Sequence, residues 1–187
     1  MTDPNELQQQ GVKLFRQHEY EAASEVFQQA REAYQQANQP DMAAEMQVNI
    51  GLVQRALGKH DQALALMREA LQIFQEMGDR KREAQVLGNM GGVFAAQRDT
   101  EQAMTCYRQA AETFKMLGEE EFYGQTLLAI GDLQIKSGHV MAGAAAYEAG
   151  LQSLKEVSGP QKILKSLMKL KRRLMGGSSP ASLADDK

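Results

Sequence analysis

Four glycines stand at one fixed interval in this chain, Gly11, Gly51, Gly91 and Gly131, each 40 residues from the next. Twelve residues after each comes a small side chain (Ala23, Ala63, Ala103, Gly143). A large one follows (Phe27, Met67, Tyr107, Tyr147), and then a second small one (Ala30, Ala70, Ala110, Gly150). Self-similarity at a period of this length defines a repeat array, in which each unit buries its apolar face only against its neighbours. Such a stack has no natural seam, so the chain is read as one array rather than as separate domains.

Within a unit, apolar residues recur at spacings of three and four, as in Leu64, Met67, Leu71 and Phe74, with Ala63 and Ala70 widening the stripe. That period is an amphipathic helix. Two helices fit each unit, predicted near 4–17 and 20–37, 41–57 and 60–77, 80–97 and 100–117, and 120–136 and 140–155. Gly58, Gly78, Gly118 and Gly138 fall where helices should stop, because glycine accepts the left-handed conformation of a C-terminal cap. Thr100 is predicted to cap the helix that follows it. Pro40 opens a helix, where its missing N–H has no intrahelical partner to lose.

Composition agrees with helices. Hydrophobic residues make up 43% of the chain but aromatics only 6%, and Trp is absent, so Ala, Leu and Met must do most of the packing. Cys106 is the single cysteine, which leaves no disulfide or paired thiolate ligand and fits a reducing compartment. Residues 1–10 are polar and acidic, and no run of ~18 apolar residues occurs. The expectation is a soluble, cytoplasmic protein.

Charge is unevenly placed. The whole chain carries 21 Lys and Arg against 24 Asp and Glu. The array itself is acidic, whereas the segment after Pro160 carries Lys162, Lys165, Lys169, Arg172 and Arg173 without an intervening acid. An acidic array argues against a nucleic-acid partner, since phosphate binding needs clustered Lys and Arg. The basic segment is expected to form an amphipathic helix over 158–175, with Ile163, Leu167, Leu170 and Leu174 on one stripe. It would cap the exposed end of the stack, and attraction to an acidic partner or an anionic membrane surface is the alternative. Residues 176–187 lack apolar periodicity and are expected to be disordered.

These residues resemble the tetratricopeptide repeat, whose signature places Leu-Gly and then Tyr on a first helix, and Ala, Phe and Ala on a second. The third unit matches best, with Leu87, Met90-Gly91, Phe94, Ala103, Tyr107 and Ala110. The usual period is about 34 residues and ends in Pro; here Gln35, Gln75, Lys115 and Lys155 stand at the Pro position. The longer units are similar to those of Leu-Gly-Asn-repeat scaffold proteins and kinesin light chain, at joints such as Met77-Gly78-Asp79-Arg80 and Leu117-Gly118-Glu119. The resemblance implies an all-α, right-handed α-solenoid of four helix-turn-helix repeats, about 4–38, 41–78, 80–118 and 120–156, plus the capping helix. It also implies an inner surface that binds extended or helical peptides.

On that surface the register places Gln9, Val48, Asn49, Leu52, Gln85, Asn89, Gln125, Leu128 and Asp132. Amides there can donate to and accept from a peptide backbone, and the apolar residues can take its side chains. Asn49 is the only match to the residues with which chaperone-binding relatives hold a C-terminal carboxylate, so that clamp is not expected. Gln54 and Gln134 replace the Tyr of the signature and are read as positions reached by water, polar recognition points being the alternative. Gly143 and Gly150 mark the fourth unit either as the loosest or as packed closely by the terminal helix.

Nothing in the sequence announces catalysis. His18, His60 and His139 lie at separate turns and are read as solvated, no His-Glu-x-x-His or paired Cys spacing appears, and no phosphate loop follows a strand. The expectation is therefore a non-enzymatic scaffold, adaptor or assembly factor with a protein or peptide partner, no metal and no cofactor. Self-association is the alternative.

Overall fold

Among the described residues, seven turns spaced 20 residues apart set the course of the chain. At each, one residue takes a left-handed backbone: His18, Asn38, Gly58, Gly78, Arg98, Gly118 and Gly138, with φ between 56° and 85°. The next residue's N–H then donates to the carbonyl five residues earlier, as in Glu19 to Leu14 (3.0 Å), Lys59 to Gln54 (2.8 Å) and Asp99 to Phe94 (2.9 Å). This bond closes the helix end by satisfying a carbonyl that the helix leaves unpaired. Glycine was legible as the stop signal at four of these turns; His18, Asn38 and Arg98 do the same work at the other three.

The computed structural model describes residues 3–154. The elements are α1 (Pro4–Arg16), α2 (Tyr20–Gln36), α3 (Pro40–Ala56), α4 (His60–Met77), α5 (Arg80–Ala96), α6 (Thr100–Met116), α7 (Glu120–Lys136) and α8 (Val140–Ser153), and no strand occurs among the described residues. Lys162, Lys165, Lys169, Arg172 and Arg173, the capping helix expected over 158–175 and the tail of 176–187 lie outside them. Thr100 is not a cap: it is the first helical residue of α6, and Asp99 precedes it as the N-cap, its carboxylate accepting from Gln102 N–H at 3.1 Å. Asp79 caps α5 in the same way, accepting from Arg82 N–H at 3.0 Å.

Each helix packs on the next in sequence, which makes the molecule an all-α solenoid. First helices also reach first helices, α3 to α5 and α5 to α7, while no second helix packs comparably on another second helix. The stack therefore bends with its first helices on the inside.

The periodic glycines explain how the two helices of a unit come together. A Cβ on Gly11 would stand 2.6 Å from Phe27 Cε1, one on Gly91 2.7 Å from Tyr107 Cδ1, and one on Gly131 2.7 Å from Tyr147 Cδ2. The large residue thus lies directly on the bare backbone, and the alanines at 23, 63 and 103 are fully buried beside it. The core runs on without a break between units, as in the cluster of Met67, Phe74, Val86 and Met90, which spans the second and third.

Candidate functional site

The inner face is built by α3, α5 and α7, one first helix from each of three successive units. A cavity of about 760 Å³ opens there. Six of the residues placed on this face by register line it together: Val48, Asn49 and Leu52 from α3, Gln85 and Asn89 from α5, and Gln125 from α7. A 40-residue repeat brings Asn49 beside Asn89 and Gln85 beside Gln125, because equal positions in successive units fall on one row. The floor is apolar, with Phe74 and Phe114 almost wholly buried beneath it.

Three other residues from the same reading lie elsewhere. Gln9 lines a separate cavity on α1, with Asn5, Gln8 and Val12. Asp132 lines a second inner-face cavity of about 820 Å³ and is paired with Lys136 at 2.6 Å. Leu128 does not line either cavity on the inner face; it packs on α8, where its Cδ2 would lie 3.0 Å from a Cβ on Gly150.

At the α1 end, polar groups already satisfy one another. Tyr34 Oη lies 3.0 Å from Asn5 Oδ1 and 2.9 Å from Gln8 Oε1, and Gln8 Nε2 donates to Glu45 Oε1 at 3.1 Å. Burial, helped by the nearby Glu45 and Asp3 carboxylates, pushes the Tyr34 hydroxyl pKa up, which keeps it a donor. The open donors and acceptors of the inner face therefore sit further along, between α3 and α7.

Ion pairs tie the units that frame the groove. Arg82 Nη1 bonds Asp41 Oδ2 at 3.0 Å across α5 and α3, and its guanidinium lies 5.5 Å from the Phe74 ring centroid. That hydrogen bond holds the Asp41 carboxyl below the usual carboxylate range. Lys81 pairs with Glu119 at 2.7 Å and lies 5.2 Å over the Phe122 ring.

Three polar positions differ from expectation. Gln54 and Gln134 are closed off from bulk solvent at their acceptors: the Oε1 of each is buried and has no hydrogen-bond partner in the protein. His60 is likewise only half-exposed, with Nδ1 buried and unpartnered. Periodicity places a residue on a face but does not tell how tightly a turn closes over it, so burial at these three positions is not legible in the spacing.

The groove also contains residues that the register missed. Arg55, one turn beyond Leu52 on α3, lines both inner-face cavities, as does Tyr107. No recurring residue type marks this position, which holds Phe15, Arg55, Ala95 and Ile135 in the four units. A search for repeated residues passes over it.

Paired helices curved around an open inner face define a helical-repeat solenoid of the tetratricopeptide type. Within that class the chain belongs to the soluble NSF attachment protein family, SNAP, whose model matches residues 1–165. Among solved structures it is similar to BtubC (BKLC) from P. vanneervenii, with 20% identity and a TM-score of 0.68 over 100% of this chain and 73% of that one. It is also similar to the Rap conjugation gene regulator of the plasmid pLS20, solved in complex with the Phr* peptide, with 19% identity and a TM-score of 0.74. That match covers 95% of this chain but 48% of the regulator, so the chain spans about half its length. These two likenesses establish the fold. No curated protein matches the chain. No helix among the described residues is long and apolar enough to cross a membrane.

Proposed function

We propose that this protein is a non-catalytic interaction scaffold that holds a segment of a partner protein along its inner face, between α3 and α7. The observation that carries the reading is the convergence of Asn49, Asn89, Gln85 and Gln125 above the apolar floor of a single cavity. Carboxamides both donate and accept, so a row of them can pair with an extended backbone whatever its sequence, while the apolar floor takes alternate side chains. A related fold solved in complex with a peptide, that of the Rap regulator, supports a peptide segment as the kind of partner. Membership of an attachment-protein family supports a partner that is a protein.

The test is capture of partners from cytosol by the full chain and by a double variant, Asn49→Ala with Asn89→Ala. Both side chains lie on the partly open inner face, so the variant should melt as the parent does while retaining less partner. Capture by the double variant equal to that by the parent would remove the amide row from the binding surface.

A further inference from the structure

Five basic side chains line the two inner-face cavities against three carboxylates, in an array whose overall charge is acidic. Most of these cations are already neutralised: Lys81 by Glu119, Arg82 by Asp41, and Lys136 by Asp132. Arg98, in the α5–α6 turn, lines only the second cavity. Arg55 is different. It is exposed, lines both cavities, and has no hydrogen bond or ion pair among the described residues.

Its guanidinium is nevertheless placed rather than free. Arg55 Nη1 lies against the bare backbone of Gly92 on the next first helix, 2.5 Å from where a Cβ would stand, and the Tyr107 hydroxyl lies 3.6 Å from that same point. Gly92 is thus the gap through which two donors from different units meet at one spot, the seam between the cavities.

We propose that Arg55 and the Tyr107 hydroxyl form the carboxylate-recognition point of the groove, and that the partner segment presents an Asp or Glu side chain there. This inference rests on the groove reading above. The carboxylate belongs to an internal residue and not to a chain end, because the groove continues on both sides of Arg55. A segment that fills both cavities passes over the guanidinium at its middle. A fork of N–H donors matches a carboxylate, and a charge-assisted bond in a half-enclosed site outweighs a neutral one. Burial raises the Tyr107 pKa, which agrees with a hydroxyl that stays protonated and donates.

The experiment is selection of displayed random 12-residue peptides, from one library anchored at both ends and one with a free C-terminus, on the full chain, on Arg55→Ala, Arg55→Glu and Gly92→Ala, and on the double variant Asn49→Ala with Asn89→Ala. Melting curves are recorded for all five. The full chain should enrich peptides with Asp or Glu at one fixed position. Replacing that residue by Gln or Asn should weaken binding about tenfold or more. Arg55→Glu should lose the acidic preference while keeping the flanking apolar one. Gly92→Ala keeps the charge but pushes the flexible guanidinium aside, so it should reduce the acidic preference with little change in melting temperature.

Peptides enriched in an Asn49- and Asn89-dependent manner but indifferent to acid would overturn the Arg55 assignment and leave the groove standing. Enrichment only of peptides with a free C-terminus would overturn the internal position. No enrichment at all would overturn this inference together with the groove reading.

Discussion

Gly131 and Gly143 meet backbone to backbone across the last helix pair. A Cβ on Gly131 would lie 2.9 Å from the Gly143 carbonyl oxygen, and one on Gly143 would lie 2.7 Å from the Gly131 carbonyl oxygen. Gly124 and Gly150 repeat the arrangement one step along, at 2.9 Å and 2.8 Å. The fourth unit is therefore closely packed, and by its own first helix. Glycine within a helix weakens it by ~1 kcal/mol relative to Ala, so Gly143→Ala would stabilise an isolated α8. In the folded chain a methyl there meets carbonyl oxygen and Ile135 Cγ1 at 2.6 Å, and backbone cannot step aside as a side-chain end can. The expected outcome is a net loss of ~1–3 kcal/mol, read as a lower midpoint in urea denaturation. An unchanged or raised midpoint would mean that α7 and α8 do not cross so closely.

Gln134 offers the opposite case. It stands where the repeat elsewhere places Leu14 and Phe94, and its Oε1 is buried without a partner. A buried carbonyl without a hydrogen bond costs ~1–3 kcal/mol. Gln134→Leu nearly conserves volume and removes the orphan acceptor, so it should stabilise the chain by ~1 kcal/mol. Thermal denaturation of the single variant decides the matter; a loss would show that the amide is satisfied in solution by a water beneath the turn.

How much of this was legible in the sequence follows from what a repeat can and cannot encode. Gly91 and Tyr107 recur in kind at every unit, so their contact, and with it the helix pairing, could be read from spacing alone. Val48, Asn49, Leu52, Gln85, Asn89 and Gln125 could be placed on one face because register fixes direction. Arg55 could not, since its role comes from the absence of a side chain at Gly92 in a different unit, and no single repeat contains that relationship. Leu128 was misplaced for a related reason. Its row faces the groove in α3, but Gly150 on α8 leaves a space into which Leu128 turns. The left-handed turns at His18 and Arg98 were hidden because only glycine advertises such a backbone.

Arg98 tests that last point. With φ at 63°, it holds a conformation in which an L-residue's Cβ crowds its own carbonyl. Arg98→Gly removes the crowding, although it also gives the unfolded chain more freedom. The net expectation is a gain of about 0.5–1 kcal/mol. The matching change at Gly58, to Ala, should give a loss of similar size. Urea midpoints that move in opposite directions for the two variants would establish that the 20-residue turn rhythm is a shared backbone device and not a property of glycine.

The bridge between Arg82 and Asp41 has a defined pH signature. The hydrogen bond to Arg82 lowers the folded-state pKa of Asp41, so the bridge contributes stability that is fully present above the unfolded carboxylate pKa, near ~4. That contribution disappears as pH falls through the depressed folded value. Arg82→Met keeps much of the packing over Phe74 and deletes the charge. At pH 7 it should cost about 1 kcal/mol or less, since both partners are partly exposed. As pH falls through the depressed folded value of Asp41, the two proteins should approach equal stability. The Asp41 carboxyl resonance should in parallel titrate at higher pH in the variant than in the parent. A stability difference that stays constant from pH 7 to pH 2 would show that Arg82 acts through its contact with Phe74, and that the ionic link between the second and third units contributes nothing to holding the groove.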